Sequence, residues 1–180
     1  MVLSYPKSCT LRDGRTATIR LLSSGDGDKL YRLFMTLKPE SRRFLYDDVT
    51  DRRVVDTWIQ ELDYDRILPL VVELDGTLVA DGTLHRKNFG PLRHVGRVRV
   101  VVLETCHGLG VGTILMQELI DVAKREGLKI LSSTAAEYEE GPAIQTLKAL
   151  GFRRAALVPH YLMDPQGVTH SMAILTKSLT

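Results

Sequence analysis

The stretch Val98-Arg-Val-Val-Val-Leu-Glu-Thr-Cys-His-Gly-Leu-Gly-Val-Gly-Thr-Ile-Leu115 decides the fold. A β-branched run ends in a loop with glycine at every second position (Gly108, Gly110, Gly112), and an amphipathic helical pattern follows at once. That order predicts a strand, a tight loop and a helix N-terminus. Glycine lets main-chain N–H groups approach an anion closely, and the free amides and dipole of the helix start supply the attraction. The loop is therefore expected to hold a phosphorylated ligand; a glycine-rich turn with no ligand is the plainer alternative. A Walker A loop fails, because Gly112 is followed by Thr113-Ile114 and no lysine. A dinucleotide fingerprint also fails. Its third glycine is replaced by Thr113 or Leu115, and the loop lies past the middle of the chain instead of opening a βαβ unit.

Working outward, 180 residues suit one domain with a real core, expected to span residues 1–180. A hydrophobic content of 44% with 26% charged residues is ordinary for a globular chain, and a net charge of +2 is too small to argue for nucleic acid or membrane, so neither is expected as partner. No run of about 20 apolar residues exists, and Met1 to Thr10 lack a stretch suited to a signal peptide, so a cytoplasmic location is expected. Cys9 and Cys106 make no disulfide framework, and the five histidines are scattered, so no metal site is expected.

Residues 15–22 alternate as a strand. Two or three helical patterns follow. The first, capped by Asp26 or Asp28, carries Leu30, Leu33, Phe34 and Leu37; Pro39 opens a short second; Val54, Val55, Trp58, Ile59 and Leu62 form the stripe of a third. Strands over 68–74 and 77–85 are joined by Asp75-Gly76, a tight-hairpin dipeptide. After the strand at 94–103 and the glycine loop, a helix runs to Gly127, a strand covers 128–134, and a helix carrying Ala143, Ile144, Leu147 and Leu150 stops at Gly151. Strands over 152–158 and 169–176 close the chain. The expected fold class is α/β: a mixed central sheet with helices on both faces, built around a central β-loop-α-β-α unit.

This order of elements, with His107-Gly-Leu-Gly-Val-Gly112 in the place of a Q/R-x-x-G-x-G/A loop, resembles the GNAT (Gcn5-related N-acetyltransferase) superfamily over nearly the whole chain. The ending Ala143-Ile-Gln-Thr-Leu-Lys-Ala-Leu-Gly-Phe152 and the Asp75-Gly76 hairpin fit the same pattern. In the first half, Asp13-Gly-Arg15, Leu37-Lys-Pro-Glu-Ser-Arg-Arg-Phe44 and Asp63-Tyr-Asp-Arg66 are similar to the GNAT domain of bacterial Pat-type protein lysine acetyltransferases, without an acyl-CoA synthetase-like region in this chain. The resemblance implies transfer of an acetyl group from acetyl-CoA directly to a primary amine, either a protein lysine or a small amine. The other reading is a non-catalytic GNAT-fold domain that binds acyl-CoA and regulates. A homodimer is compatible with either.

The resemblance further implies that backbone amides from about Leu109 to Thr113 hold the pyrophosphate, within the loop His107, Gly108, Leu109, Gly110, Val111, Gly112 and Thr113. It also implies that pantetheine lies along Val100, Val101 and Val102 like an added strand. The Glu that often serves as base on this strand is absent here. Strand parity makes His94 the first choice of base and His85 the second, with Glu73 or Asp81 acting through water; each histidine also reads as a surface or loop residue. Leu147 stands where many members place a Tyr acid, leaving Tyr138 as the displaced candidate. Arg97 and Arg99 lie on the opposite face from Val98, Val100 and Val102, either on a solvated edge or meeting an acidic substrate or another subunit.

Overall fold

In the computed structural model, residues 4–136 and 141–180 are described. Eight strands form one sheet in the order β1-β2-β3-β4-β5-β6-β8-β7. β1 (Lys7–Thr10), β2 (Thr16–Leu21), β3 (Ile67–Leu74), β4 (Thr77–His85) and β5 (Val95–Val102) form an antiparallel run. β6 (Ile130–Ala136) joins β5 in parallel, while β8 (Thr169–Ser178) pairs antiparallel with both β6 and β7 (Arg153–Met163). The helices are α1 (Gly27–Thr36), α2 (Pro39–Arg42), α3 (Arg52–Gln60), α4 (Val111–Arg125) and α5 (Gly141–Ala149). The expected mixed α/β domain is what forms. β1 was not foreseen, and β7 runs to Met163 instead of ending near Val158.

Side-chain parity places helices on both faces of the sheet. On one face, Leu115, Leu119 and Ile120 of α4 are fully buried, and Gly82 of β4 exists to admit them. A Cβ at Gly82 would stand 2.9 Å from two carbons of the Leu115 side chain, so any larger residue would push α4 off the sheet. On the other face, α1 and α3 pack together through Phe34 and Trp58, whose rings meet edge-on at a centroid distance of 5.8 Å. Asp26 precedes α1 as expected, yet its carboxylate does not cap the helix. It accepts from the Ser23 amide and hydroxyl and from Arg20 instead (2.7–2.8 Å).

Candidate active site

Two features of β5 build the site. Its parallel pairing with β6 extends only from Val95↔Ile130 to Arg97↔Ser132, after which β6 stays paired with β8 alone. The sheet therefore opens into a wedge beside the second half of β5. The Leu103 N–H donates to the Val79 carbonyl at 2.9 Å, directly before the regular register of Ala80↔Val102 to His85↔Arg97. Antiparallel bonding pairs alternate, so odd-numbered residues of β5 turn their main-chain groups toward β4 and even-numbered ones turn them away. The His94 carbonyl accordingly accepts from Lys129 on the β6 side. By the same alternation the main-chain N–H and C=O of Val100 face the wedge, where no strand among the described residues meets them.

The glycine loop stands at the wide end of that wedge. Gly108 (φ +78°) and Gly110 (φ +86°) take left-handed conformations that other residues adopt only under strain, and these turn the chain from the end of β5 into α4. The first helical bond runs from the Ile114 N–H to the Gly110 carbonyl (2.9 Å). The amides of Gly110, Val111, Gly112 and Thr113 have no main-chain acceptor among the described residues. Gly112 comes so close to β5 that a Cβ there would lie 3.3 Å from a Val102 methyl, whereas nothing stands within 4 Å of that position at Gly108. A free strand edge leading to a row of open amides fits an extended amide-bearing chain that ends in phosphates. The His107 Nε2 donates to the Val102 carbonyl (3.1 Å), which ties the first residue of the loop to the end of the strand.

The opposite, odd-numbered face of β5 borders a cavity of about 380 Å³. Its floor is Asp81, Thr83 and His85 of β4 with Arg97, Arg99 and Val101 of β5; Leu30, Phe34 and Trp58 of the two helices form a wall. Tyr46 closes one side. Its hydroxyl bonds Thr134 at 3.0 Å, and its ring lies 5.5 Å and 5.8 Å from the guanidinium carbons of Arg97 and Arg99. Asp81 sits directly across from Val101 and has no hydrogen bond or ion pair among the described residues. Burial pushes its carboxyl up to about 7. His85, in contact with Thr83 (3.2 Å), is pushed down to about 4 by burial and by neighbouring Arg97.

The sequence-based candidates separate clearly on this geometry. His94 is exposed at the start of β5, the end away from the glycine loop. Its parity partner Gly96 faces Leu84, Leu128 and Leu131 on the α4 side of the sheet, so parity points His94 away from the cavity. Glu73 is held by Arg20 (2.6 Å) and Lys29 (3.0 Å) on β3 and does not line the cavity. His85 and Asp81 do line it. Tyr138 lies outside the described residues. Sequence reasoning passed over two residues. Tyr46 supports both arginines, and Arg12 from the β1–β2 turn lies against the glycine loop. Neither carries a local motif; only the aromatic after Phe44-Leu45 and the unmatched arginine in Arg12-Asp13-Gly14-Arg15 hinted at them.

A splayed β-sheet with a glycine loop feeding a helix start is the arrangement that the resemblance to the GNAT superfamily implies for an acyl-CoA site. Comparisons with known proteins agree with it. The model of the acetyltransferase (GNAT) family matches residues 28–152. Among solved structures, the chain resembles the GNAT domain of S. lividans PAT with a TM-score of 0.79, at 18% identity, over 96% of each chain. The structure of yncA from Salmonella typhimurium, with its cofactor acetyl-CoA, matches with a TM-score of 0.77 at 19% identity, covering 91% of this chain and 94% of that one. The ribosomal-protein-alanine N-acetyltransferase from Brucella melitensis matches at 0.76 and 20% identity, over 89% and 98%. The chain belongs to the GNAT acetyltransferase family, and with it to the acetyl-CoA-dependent N-acetyltransferases.

Proposed function

We propose that the protein acetylates the primary amine of a small acceptor that also carries an anionic group, with Asp81 as the general base. The observation that carries this reading is an unpartnered carboxyl, raised to about 7, on the floor of a cavity bordering the free edge of β5. Acetyl-CoA supplies the activated acetyl thioester. The chain's own residues have three tasks: to align the amine, to remove its proton and to fix the carbonyl.

An alkylammonium with a pKa near 10.4 is almost wholly protonated at pH 7, so it must lose a proton to become a nucleophile. Ionised Asp81 attracts that cation into the apolar end of the cavity and then accepts the proton, directly or through one water. A base near 7 is better matched to this task than one near 4, which ranks Asp81 above His85. The Val100 N–H, free on the wedge side, is the donor available to the thioester oxygen as charge grows there. A thiolate leaves without much help, and no acid is assigned among the described residues.

The choice of acceptor rests on the lining. Asp47, Glu61, Asp63 and Asp81 are set against Arg66, Arg97 and Arg99, a mixture that suits a molecule of both signs. Arg97 is held against the Tyr46 ring and has no carboxylate partner among the described residues, so its fork is available to an acceptor carboxylate or phosphate. A helix-walled cavity also suits a free amine better than a lysine on a protein surface.

The test follows free thiol while purified protein is incubated with acetyl-CoA and a panel of amino acids, amino phosphates, their uncharged analogues, polyamines and lysine peptides. Turnover strongest with the anionic amines is expected. Turnover confined to lysine peptides overturns the small-acceptor reading. Acetyl-CoA binding with no thiol release from any amine favours the non-catalytic domain.

A further inference from the structure

The glycine loop carries no positive charge of its own. Between Leu103 and Lys124 the chain has no Lys or Arg, while Glu104, Glu118 and Asp121 are acidic. The histidine at the loop's first position is turned onto the Val102 carbonyl. A ligand bearing a pyrophosphate would therefore meet open amides and a helix dipole, equivalent to about half a charge, with no cation in the loop itself.

A cation does stand against this loop, supplied from 96 positions earlier in the chain. The turn between β1 and β2 is fastened to the loop by a main-chain bond from the Arg12 N–H to the Leu109 carbonyl (3.0 Å). The Arg12 side chain then runs along the glycines. Its Nη1 donates to the Gly108 carbonyl (3.3 Å), and its Cγ and Nε lie 3.6 Å from where a Cβ on Gly110 would be. Arg15 in the same turn is neutralised by Asp13 at 2.7 Å. Arg12 has no carboxylate within ion-pair distance among the described residues, and it is solvent-exposed. One bond to a carbonyl leaves four of its five N–H donors unused.

We infer that Arg12 is the phosphate-binding cation of the acyl-CoA site, carried by the β1–β2 turn and held in place by the loop it serves. The wedge and the amides would position pantetheine and pyrophosphate, and Arg12 would add the charge that the loop and the first turns of α4 lack. The glycine at position 110 has a second use on this reading. A Cβ there would lie in contact with the Arg12 side chain, and any longer side chain would compete with the guanidinium for the space beside the amides. The inference rests on the assignment of the glycine loop as the acyl-CoA site.

Calorimetric titration of the whole protein with CoA and with pantetheine, which lacks the phosphates, tests it. CoA is expected to bind the Arg12→Ala variant about tenfold more weakly than wild type, with pantetheine affinity unchanged and Arg12→Lys recovering part of the loss. The CoA affinity of wild type should fall more steeply with added salt than that of Arg12→Ala. If wild type binds CoA and Arg12→Ala binds it equally well, Arg12 has no such role. A parallel loss of pantetheine binding, or no rescue by lysine, makes it a structural pin and overturns the proposal. Failure of wild type to bind CoA at all refutes the loop assignment instead.

Discussion

At Asp81 the cost of burying a charge and the usefulness of a base are the same fact. Unfolded, this carboxyl ionises in the ordinary range near 4; folded, it holds its proton up to about 7. Between those values the unfolded chain loses a proton that the folded one keeps, so stability falls as pH rises through that window and is level above it. Asp81→Asn should therefore melt higher than wild type at pH 8 and close to it near pH 4, as thermal unfolding at the two pH values will show. The same variant should lose roughly 10²-fold or more in kcat while retaining CoA affinity, and the limb near pH 7 in wild-type kcat/KM should vanish. A variant that keeps the limb would remove Asp81 as the base. Arg97→Gln should raise KM for anionic acceptors about tenfold and leave it unchanged for their uncharged analogues, measured as paired kinetics. Residue types alone did not single out Asp81, because a lone Asp in a strand reads as either exposed or structural. His94 drew the sequence-based choice through strand parity. Parity separates the two faces of a strand, yet it says nothing about which face a later helix will cover or which end the sheet will open at.

Among the elements, the strand–loop–helix unit was legible because several local signals coincide: β-branched residues, alternating glycines and an amphipathic stripe stopped by Gly127. Here the predicted strand of 94–103 and helix to Gly127 differ from β5 and α4 by only a residue or two. The short β1 was hidden, since four residues with alternating burial have no pattern to display beyond what their pairing with β2 confers. The wedge was equally invisible, because it depends on where β6 parts from β5, a choice made by long-range pairing. Two substitutions probe this unit. Gly110→Asp places a carboxylate and a Cβ at a left-handed position facing the open amides, and should abolish CoA binding by calorimetry in a protein that still folds. Gly82→Ala drives a methyl to within 2.9 Å of Leu115, and should cost about 1–3 kcal/mol in urea unfolding. Its effect on CoA affinity should be smaller than that of Gly110→Asp, because α4 can tilt while its N-terminus keeps its amides.

Across the whole molecule, the half of the sheet that carries β1 to β3 must stay attached to α1 for the cavity wall to exist. Leu30, Leu33 and Phe34 of α1 bury their side chains in the core, and a charge cluster adds to that attachment. Arg20 of β2 bridges Asp26 at the entry to α1 (2.7 Å) and Glu73 of β3 (2.6 Å), and Lys29 of α1 reaches Glu73 at 3.0 Å. Asp26 is buried, and Arg20, aided by the Ser23 hydroxyl and amide, holds its carboxyl down at about 2. Lys29 and Arg20 lower Glu73 as well. For both acids the folded form ionises more readily than the unfolded chain, so their contribution is complete above the unfolded pKa near 4. It is lost as pH falls through the lowered folded values. Wild type should accordingly lose stability between about pH 4 and pH 2, in the opposite direction to the Asp81 effect and in a separate window. Removing Asp26 leaves Arg20 with Glu73 as its one remaining carboxylate and takes away two charge-assisted bonds, so Asp26→Ala should cost roughly 2 kcal/mol at pH 7. The deficit relative to wild type should shrink toward pH 2, where wild-type Asp26 itself takes up its proton. Chemical denaturation of both proteins at pH 7 and pH 2.5 measures this. A deficit that is the same at both pH values would mean that Asp26 acts through packing and its bonds to Ser23, and that charge does not tie α1 to the sheet.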